Sequence, residues 1–253
     1  MHAPVKVLTE NLTVEPYASV LCYPRASETE LESRLEELRE HGVKAVEFTG
    51  EASAFNVPVL GKGFVGIVVT AHLGEERVAL KIRRVDADRI GLEHEAQMLA
   101  KANSVQVGPR LIGVSKNYLL MQLADGYLLP QWLNAHKDKN QLHDVLGEVL
   151  EQCWRLDNIN LDHGELSKAL KHIIINRPQE PFIVDFETAS IDRKPSNVTS
   201  VCQFFFTGYG IVAKAVAEVL GEVDRAGVID VLRCYKNERN RENFDCVLRA
   251  CLG

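Results

Sequence analysis

Residues 161–187 of the chain read LDHGELSKALKHIIINRPQEPFIVDFE, and this stretch decides the fold. Two short apolar runs, Ile-Ile-Ile and Phe-Ile-Val, flank a turn that is rich in Asn, Pro and Gln, which predicts a β-hairpin. Glu165 and His172 precede the first predicted strand, and Asp185 follows the second. The hairpin therefore brings two carboxylates and an imidazole to one edge. They form either a catalytic group or only the solvated ends of a buried hairpin.

The composition is that of an ordinary globular protein. The chain has 253 residues, enough for one large domain or two lobes, with 46% hydrophobic and 25% charged residues. The net charge of −6 argues against generic nucleic-acid binding, although a local basic patch can still bind nucleic acid. The six cysteines are dispersed and favour a reducing compartment. We expect a cytoplasmic protein with no membrane partner, because we find no signal-peptide core and no apolar run near the roughly 18 residues of a membrane span.

The first 55 residues predict a β-α-β extension. Ser19–Tyr23 is a possible strand, and Ser27 with Glu30 three residues later gives a capping-box pattern for a helix that Gly42 ends. Ala45–Phe48 is the second expected strand. The extension is either a substrate-facing module or a structural cap on the first lobe, and the sequence leaves both open.

A glycine-rich segment follows a short predicted strand at Val57–Leu60. Residues 61–68 read GKGFVGIV, which is the pattern G-x-G-x-x-G-x-V. Glycines let the backbone turn tightly and bring its N–H groups close to phosphate oxygens. Because β-branched residues continue after the last glycine, the segment fits the strand–loop–strand hairpin of kinases and not the strand-to-helix loop of dinucleotide-binding folds.

A lysine on the next predicted strand is the candidate phosphate ligand. Residues 77–82 read RVALKI, and the apolar neighbours of Lys81 direct its side chain into a cleft, where it can pair with α- and β-phosphates. A solvated strand lysine is the alternative, which the spacing to the glycines disfavours. Glu95, on the helix that follows, is the expected partner that orients Lys81. Glu93 is the alternative, because one sequence does not fix the rotation of the helix.

The rest of the chain predicts a strand pair followed by a helical lobe. The strands are expected at 111–114 and 118–123, and residues 122–126 form the expected hinge between two lobes. Helices are expected at about 129–135, 141–156, 201–206, 212–220, 226–235 and 243–251. We therefore predict an α+β fold. Its expected parts are the N-terminal extension (1–55), an N-lobe (56–123) and a reduced helical C-lobe (124–253).

Taken in order, these motifs resemble the atypical small kinases of the RIO and Bud32-like branch of the protein-kinase superfamily. The set comprises the glycine-rich loop, Lys81, a helix glutamate, the H-G-E-L loop of residues 163–166 and the D-F-E loop that begins at Asp185. The resemblance covers roughly residues 57–200. It implies a two-lobed protein-kinase-like fold that binds ATP and Mg²⁺ and transfers a phosphoryl group to an alcohol.

The chain departs from this family pattern at important positions. Glu165 stands where the family has its catalytic Asp, and its longer side chain can still accept a hydroxyl proton. The Asn expected as a second metal ligand is missing, and Lys171 and His172 stand near its place. His172 is either a metal or phosphate ligand or a simple loop histidine. Asp185 keeps its position after the strand and is the expected principal Mg²⁺ ligand.

The resemblance also implies roles for individual side chains. Lys168 and Lys171 lie close enough in sequence to Glu165 to contact the γ-phosphate or an anionic substrate, so these three residues and Lys81 are the expected catalytic set. Asp185 and His172 are the expected metal ligands. The implied nucleotide-binding residues are Gly61, Lys62, Gly63, Phe64, Gly66, Val68, Lys81, Glu95, Met121 and Leu123.

The segment after Asp185 bears on the acceptor. Residues 188–198 run directly into an apolar predicted helix, which leaves no room for the long activation loop on which peptide kinases bind an extended peptide. Basic residues are also expected near the site: Lys62, Arg83, Arg84, Lys168, Lys171, Arg177, Arg193 and Lys194. As a set they favour an anionic acceptor, although each alone is better explained as solvated loop charge.

A closer similarity is to a group of archaeal proteins once catalogued as serine/threonine kinases. It rests on residues 59–63 (VLGKG), the H-G-E-L loop, residues 185–190 (DFETAS) and residues 194–199 (KPSNVT). The group includes an enzyme that phosphorylates a uridine 2′-hydroxyl of tRNA, so the resemblance implies tRNA as substrate. Two alternatives stay open. One is a RIO- or Bud32-like protein kinase or ATPase, and the other is a nucleotide-binding module without phosphoryl transfer.

Overall fold

The computed structural model describes residues 3–88 and 91–253 and has an α+β fold with antiparallel sheets. The predicted fold class is therefore confirmed. The chain forms two compact units, which comprise Met1–Gln97 with Arg110–Leu123, and Met98–Pro109 with Ala124–Gly253. Helix α3 (Glu93–Asn103) begins in the first unit and ends in the second.

The first unit is built on one large antiparallel sheet. In spatial order its strands are β1 (Val5–Leu8), β2 (Ala45–Phe48), β6 (Gly66–Leu73), β7 (Glu76–Arg83), β9 (Tyr118–Gln122) and β8 (Leu111–Val114). The short strand β5 (Gly61–Lys62) also pairs with β6, and β3 (Ala52–Ala54) pairs with β4 (Val57–Val59). Alternation of side chains along each strand places every second residue on one face. On this basis Ile67, Val69 and Ala71 of β6 enter the core.

The N-terminal segment corrects one prediction. Ser19–Tyr23, expected as a strand, lies in and directly after helix α1 (Tyr17–Leu21), and the strand of this segment is β1 instead. Val20 and Leu21 are completely buried. A short apolar run that is buried on all sides carries no period, so it does not distinguish a strand from a buried helix. β1 and β2 continue the sheet that contains β6.

Helix α2 (Glu28–Glu40) begins and ends as its sequence predicts. The Ser27 hydroxyl accepts a hydrogen bond from the Glu30 N–H at 3.3 Å, and Gly42 follows the helix with a φ of +74°. The left-handed conformation at Gly42 costs little because glycine has no Cβ.

A buried polar network attaches α2 to the sheet. The Arg34 guanidinium is completely buried and donates to the carbonyl oxygens of Leu21 (2.7 Å) and Arg83 (2.6 Å). Glu37 accepts hydrogen bonds from the Asn117 N–H (3.0 Å) and the Ser115 hydroxyl (2.6 Å). Buried charges are tolerated only when they are hydrogen-bonded. The network therefore gives the N-terminal segment a structural role in the first unit.

The second unit combines a small sheet with helices. The predicted hairpin is confirmed as β11 (Ile173–Asn176) and β12 (Pro181–Ile183), and β10 (Gly126–Leu128) pairs with β11 on its other side. The helices that follow β10 are α4 (Leu129–Ala135), α5 (Lys139–Asn158), α6 (Asn197–Cys202), α7 (Ile211–Leu220), α8 (Arg225–Asn237) and α9 (Arg241–Leu252). Short 3-10 turns cover Leu166–Lys171 and Phe186–Thr188.

Helix α5 is the central helix of the second unit. It contacts β12, α6, α7 and α9, and its buried residues recur at the three- and four-residue spacing of a helical stripe. None of the helices in the described part of the chain is, by itself, long and apolar enough to cross a membrane. Two segments, Asn197–Thr207 and Ile211–Leu220, are bent by 69° relative to each other. They are long and apolar enough to cross a membrane only when they are taken together.

Candidate active site

The glycine-rich segment forms a tight hairpin between β5 and β6, as predicted. The Gly63 N–H donates to the Gly66 carbonyl at 2.8 Å, and Arg84 donates to the Gly63 carbonyl at 3.1 Å. A Cβ at Gly66 would lie 3.0 Å from Cγ of Lys81 and 2.9 Å from a carbonyl oxygen of β7. Glycine is therefore required here, because the Ile82 carbonyl oxygen and the Lys81 side chain both lie directly against the backbone. Phe64, at the tip, is 91% exposed.

Lys81 and Glu95 form a buried ion pair, called the lysine pair below. Lys81 lies on β7 between Val68 of β6 and Leu119 of β9, and its Nζ is 2.7 Å from Oε2 of Glu95 on α3. Only 5% of Lys81 and 3% of Glu95 is exposed. Of the two helix glutamates that the sequence allows, the partner is thus Glu95, while Glu93 is exposed. A buried ion pair is weak evidence for stability, because desolvation offsets its attraction.

The other residues expected to bind nucleotide lie on neighbouring strands of the same unit. Gly61 and Lys62 form β5, Val68 lies on β6, Met121 lies on β9, and Leu123 follows β9 directly. Val68, Met121 and Leu123 are half-buried. Their side chains can therefore contribute apolar surface to a ligand, while Lys62 is exposed.

The second group of predicted site residues meets at one end of the β11–β12 hairpin. His172 Nε2 is 3.0 Å from Oε2 of Glu165 and 3.7 Å from Oδ2 of Asp185. Ligand atoms of all three residues lie within 4.8 Å of one another. These residues are called the carboxylate cluster below. The prediction that the hairpin brings two carboxylates and an imidazole to one edge is confirmed.

Asp185 has an unusual backbone conformation. Its φ of +69° and ψ of +70° lie in the left-handed region, which costs a residue with a side chain about 1–2 kcal/mol. Phe186, the next residue, is buried and approaches Gly108 so closely that a Cβ there would lie 2.8 Å from its ring. The Phe186 ring centroid is 5.1 Å from that of His163. Packing of Phe186 thus stabilises the left-handed backbone of Asp185, a conformation that is often found at functional sites.

His163 supports the cluster from the interior of the second unit. Its ring is completely buried, and Nε2 is 3.1 Å from the Val184 carbonyl oxygen. The ring centroid is 5.6 Å from that of His172. Burial, together with the nearby His172 side chain, lowers the pKa of His163 to about 4. The imidazole is therefore neutral at neutral pH, and it donates from Nε2 to the carbonyl.

Two residues to which the sequence assigned no role hold the H-G-E-L loop. Asn197, the first residue of α6, accepts from the His163 N–H (2.9 Å) and donates to the Leu161 carbonyl (2.7 Å). Asp157, near the end of α5, accepts from the Asn197 amide (2.8 Å) and the Tyr235 hydroxyl (2.9 Å). Burial raises the pKa of Asp157, while these hydrogen bonds act in the opposite direction. The only sequence signal was that Asn197 belongs to the KPSNVT segment.

The basic residues expected near the site have different surroundings. Lys168 and Lys171 lie on the 3-10 turn after Glu165, are exposed, and form no ion pair with a carboxylate of the described residues. Arg83, in contrast, is buried and bonded to Asn117, and burial lowers its pKa. Its expected place in a substrate-facing basic set is therefore wrong.

The carboxylate cluster suits a hard cation in part. Carboxylate oxygens are the ligands that Mg²⁺ prefers, whereas imidazole suits zinc and later transition metals better. Asp185 therefore fits Mg²⁺ well. His172 is nearer to Glu165 than to Asp185, so its position fits a role in orienting the Glu165 carboxylate at least as well as a role as ligand.

Comparison with known proteins gives no functional assignment. No family model matches the chain. An uncharacterized protein of Methanocaldococcus jannaschii is 28% identical over 100 residues, which is 40% of this chain and 83% of that protein. The lysine pair and the carboxylate cluster are therefore the features from which a function can be inferred.

Proposed function

We propose that the protein is an ATP-dependent phosphotransferase of protein-kinase-like, two-lobed architecture that phosphorylates the ribose 2′-hydroxyl of a uridine in tRNA. The observation that carries the proposal is the buried lysine pair against the glycine hairpin, where Lys81 lies over Gly66. Protein kinases use a strand lysine, held by a helix glutamate, to bind the α- and β-phosphates of ATP under a glycine-rich loop. The RIO and Bud32-like resemblance of the motifs supports the same assignment.

Each cluster has its own part in this proposal. Lys81, oriented by Glu95, binds the nucleotide phosphates, and backbone amides of the glycine hairpin other than that of Gly63 add hydrogen bonds to them. Glu165, held by His172, accepts the proton of the acceptor hydroxyl. The oxygen of that hydroxyl forms a bond to the γ-phosphorus, while the bond between the γ-phosphorus and the leaving ADP breaks. Asp185 would hold Mg²⁺, which offsets the negative charge of the phosphates when bound.

The choice of RNA rests on the resemblance and on exposed charge. Lys168 and Lys171 follow Glu165 on the same 3-10 turn, so they are available to an anionic acceptor. Helix α6 begins at Asn197, which leaves only a short segment after Asp185. Such a segment does not offer the platform on which peptide kinases bind an extended peptide. A 2′-hydroxyl is the group that distinguishes RNA from DNA.

A labelling experiment tests the proposal. Purified protein is incubated with γ-labelled ATP, Mg²⁺, total tRNA and total protein, and the two fractions are separated. We expect label in tRNA that survives protease and is lost with nuclease. A tRNA transcript with 2′-deoxyuridine at every uridine is the matched control, because it lacks the acceptor hydroxyl, and it should remain unlabelled.

The other outcomes identify the alternatives. Label only in protein would replace the proposal by a RIO- or Bud32-like protein kinase. ATP bound without label in either fraction would indicate a nucleotide-binding module, and it would mean that Glu165 does not take the place of the missing Asp.

A further inference from the structure

A polar groove of about 380 Å³ lies on the surface of the second unit, lined by residues outside the carboxylate cluster. Its cations are Lys194, Lys236 and Arg239, and its amides are Asn158, Asn160 and Asn237. These residues come from the end of α5, the segment before α6 and the end of α8. The groove thus gathers cations and amides from distant parts of the sequence, with few apolar side chains.

The cations of the groove form hydrogen bonds but, among the described residues, no direct ion pairs. Arg239 donates to the Asp157 carbonyl (3.1 Å) and the Asn160 side chain (3.4 Å), and Lys194 donates to the Lys236 carbonyl (3.2 Å). All three partners are uncharged oxygens, and none of the three cations forms an ion pair with a carboxylate in the described part of the chain. Cationic donors that are not engaged by a carboxylate are suited to bind an anion.

Two carboxylates also line the groove, and they do not cancel this charge. The Asp157 carboxylate is buried and accepts hydrogen bonds from Asn197 and Tyr235. The Glu238 side chain is exposed and is therefore the one carboxylate of the lining that can oppose an anion. With three cations and two carboxylates, the lining carries one more positive than negative group, on a chain whose net charge is −6.

We propose that the groove binds a phosphodiester group of the RNA acceptor, as a docking site separate from the carboxylate cluster. This inference rests on the proposed function for the identity of its ligand. The groove adjoins the scaffold of the H-G-E-L loop, because Asp157 lines the groove and also accepts the hydrogen bond from Asn197 that holds this loop. Arginine and lysine contacts to phosphates supply affinity and register and carry no sequence information.

The test measures binding of a fluorescein-labelled, unmodified tRNA transcript by anisotropy at several salt concentrations. Lys194→Gln/Lys236→Gln should raise the Kd about 10-fold and should reduce the slope of log K against log salt by about 1–2. Glu238→Gln should lower the Kd, because it removes the opposing charge. Lys137→Gln/Lys214→Gln is the matched control, since it removes two exposed lysines of the same unit that do not line the groove.

The readouts separate this inference from the proposed function. Unchanged Kd and salt slope in Lys194→Gln/Lys236→Gln, with tRNA still labelled by the wild type, would overturn the groove alone. Weaker binding by this variant, when no phosphate reaches tRNA, would support the groove and overturn the proposed transfer. A wild-type protein that binds no tRNA at low salt would overturn the groove as an RNA site, whatever the labelling result.

Discussion

The lysine pair and the carboxylate cluster are built by different means. Lys81 lies near the end of strand β7 and Glu95 in the first turn of helix α3, so regular backbone geometry brings them together. Glu165 and Asp185 lie outside regular strands, next to 3-10 turns, and Asp185 has a left-handed backbone. The first cluster is almost completely buried, while the two carboxylates of the second are half-exposed.

Because of this difference, substitutions in the two groups should affect stability and activity differently. The lysine pair depends on burial and on close packing over Gly66, so changes there should affect folding as well as nucleotide binding. The carboxylate cluster depends on a scaffold of side-chain hydrogen bonds through Asn197 and Asp157. Its exposed carboxylates should therefore be replaceable with little loss of stability but with a large loss of activity, which is a common property of functional residues.

The largest effect is expected at Asp185. Asp185→Asn keeps the size of the side chain but removes the charge that would hold Mg²⁺, so phosphoryl transfer should fall by about 10²–10³-fold, by analogy with the loss of other electrostatic groups. The melting temperature should stay close to that of the wild type. Transfer rates and thermal melts check both parts. A large loss of stability with normal transfer would contradict the expectation that the carboxylate cluster matters more for activity than for folding.

Lys81→Ala should show the opposite balance. It removes the ammonium group that is paired with the buried Glu95 carboxylate, which typically costs about 3–5 kcal/mol of folding stability, and it should also weaken ATP binding. Urea denaturation and nucleotide titration measure the two effects. Lys81→Met/Glu95→Leu is the control, because an apolar pair of similar size should restore much of the stability without restoring ATP binding. If Lys81→Ala were as stable as the wild type, the pair would not be buried in solution.

Gly66→Ala tests how closely the glycine hairpin packs against β7. The added Cβ would lie 2.9 Å from a β7 carbonyl oxygen and 3.0 Å from Lys81 Cγ, so we expect a loss of about 1–3 kcal/mol from overpacking. Gly63→Ala is the steric control, because its Cβ would meet nothing nearer than 3.7 Å. Urea denaturation measures the stability of both variants, and equal stability would show that the Gly66 backbone is not packed closely against β7 and the Lys81 side chain.

The smallest effect is a pH dependence at Asp157. Because burial raises its pKa above the ordinary 3.8, the folded protein retains a proton where the unfolded chain has lost one. This contribution to stability is therefore present below pH 3.8 and is lost as the pH rises through the raised pKa. Asp157→Asn lacks it, so its destabilisation relative to the wild type should shrink as the pH rises. Urea denaturation across acid and neutral pH checks this, and a difference that grows with pH would contradict it.

The sequence predicts those parts that follow from backbone periodicity. The β11–β12 hairpin, α2 with its cap and the glycine hairpin follow from alternation, capping residues and glycine positions. Lys81 was recognised on the same basis, although the choice of Glu95 over Glu93 needed the rotation of α3. Where the apolar run at Ser19–Tyr23 has no period, the strand prediction was wrong.

The scaffold of the carboxylate cluster could not be predicted in the same way. Asn197 and Asp157 reach the H-G-E-L loop through side-chain hydrogen bonds between residues that are distant in sequence. Such bonds leave no periodic trace, and Asn at a helix start is equally expected as an ordinary cap. The prediction that Arg83 faces the substrate is wrong for a related reason. Its partner Asn117 lies in the loop between β8 and β9, which is distant from Arg83 in sequence.

The central claim is that Glu165 performs the transfer chemistry. The most direct test compares single-turnover transfer of the γ-phosphate to tRNA by the wild type and by Glu165→Gln, at saturating ATP and Mg²⁺, with Glu165→Asp as a control that keeps a carboxylate. The account predicts that Glu165→Gln binds ATP normally and loses at least about 10²-fold in rate, while Glu165→Asp retains part of it. Transfer by Glu165→Gln at the wild-type rate would contradict the account.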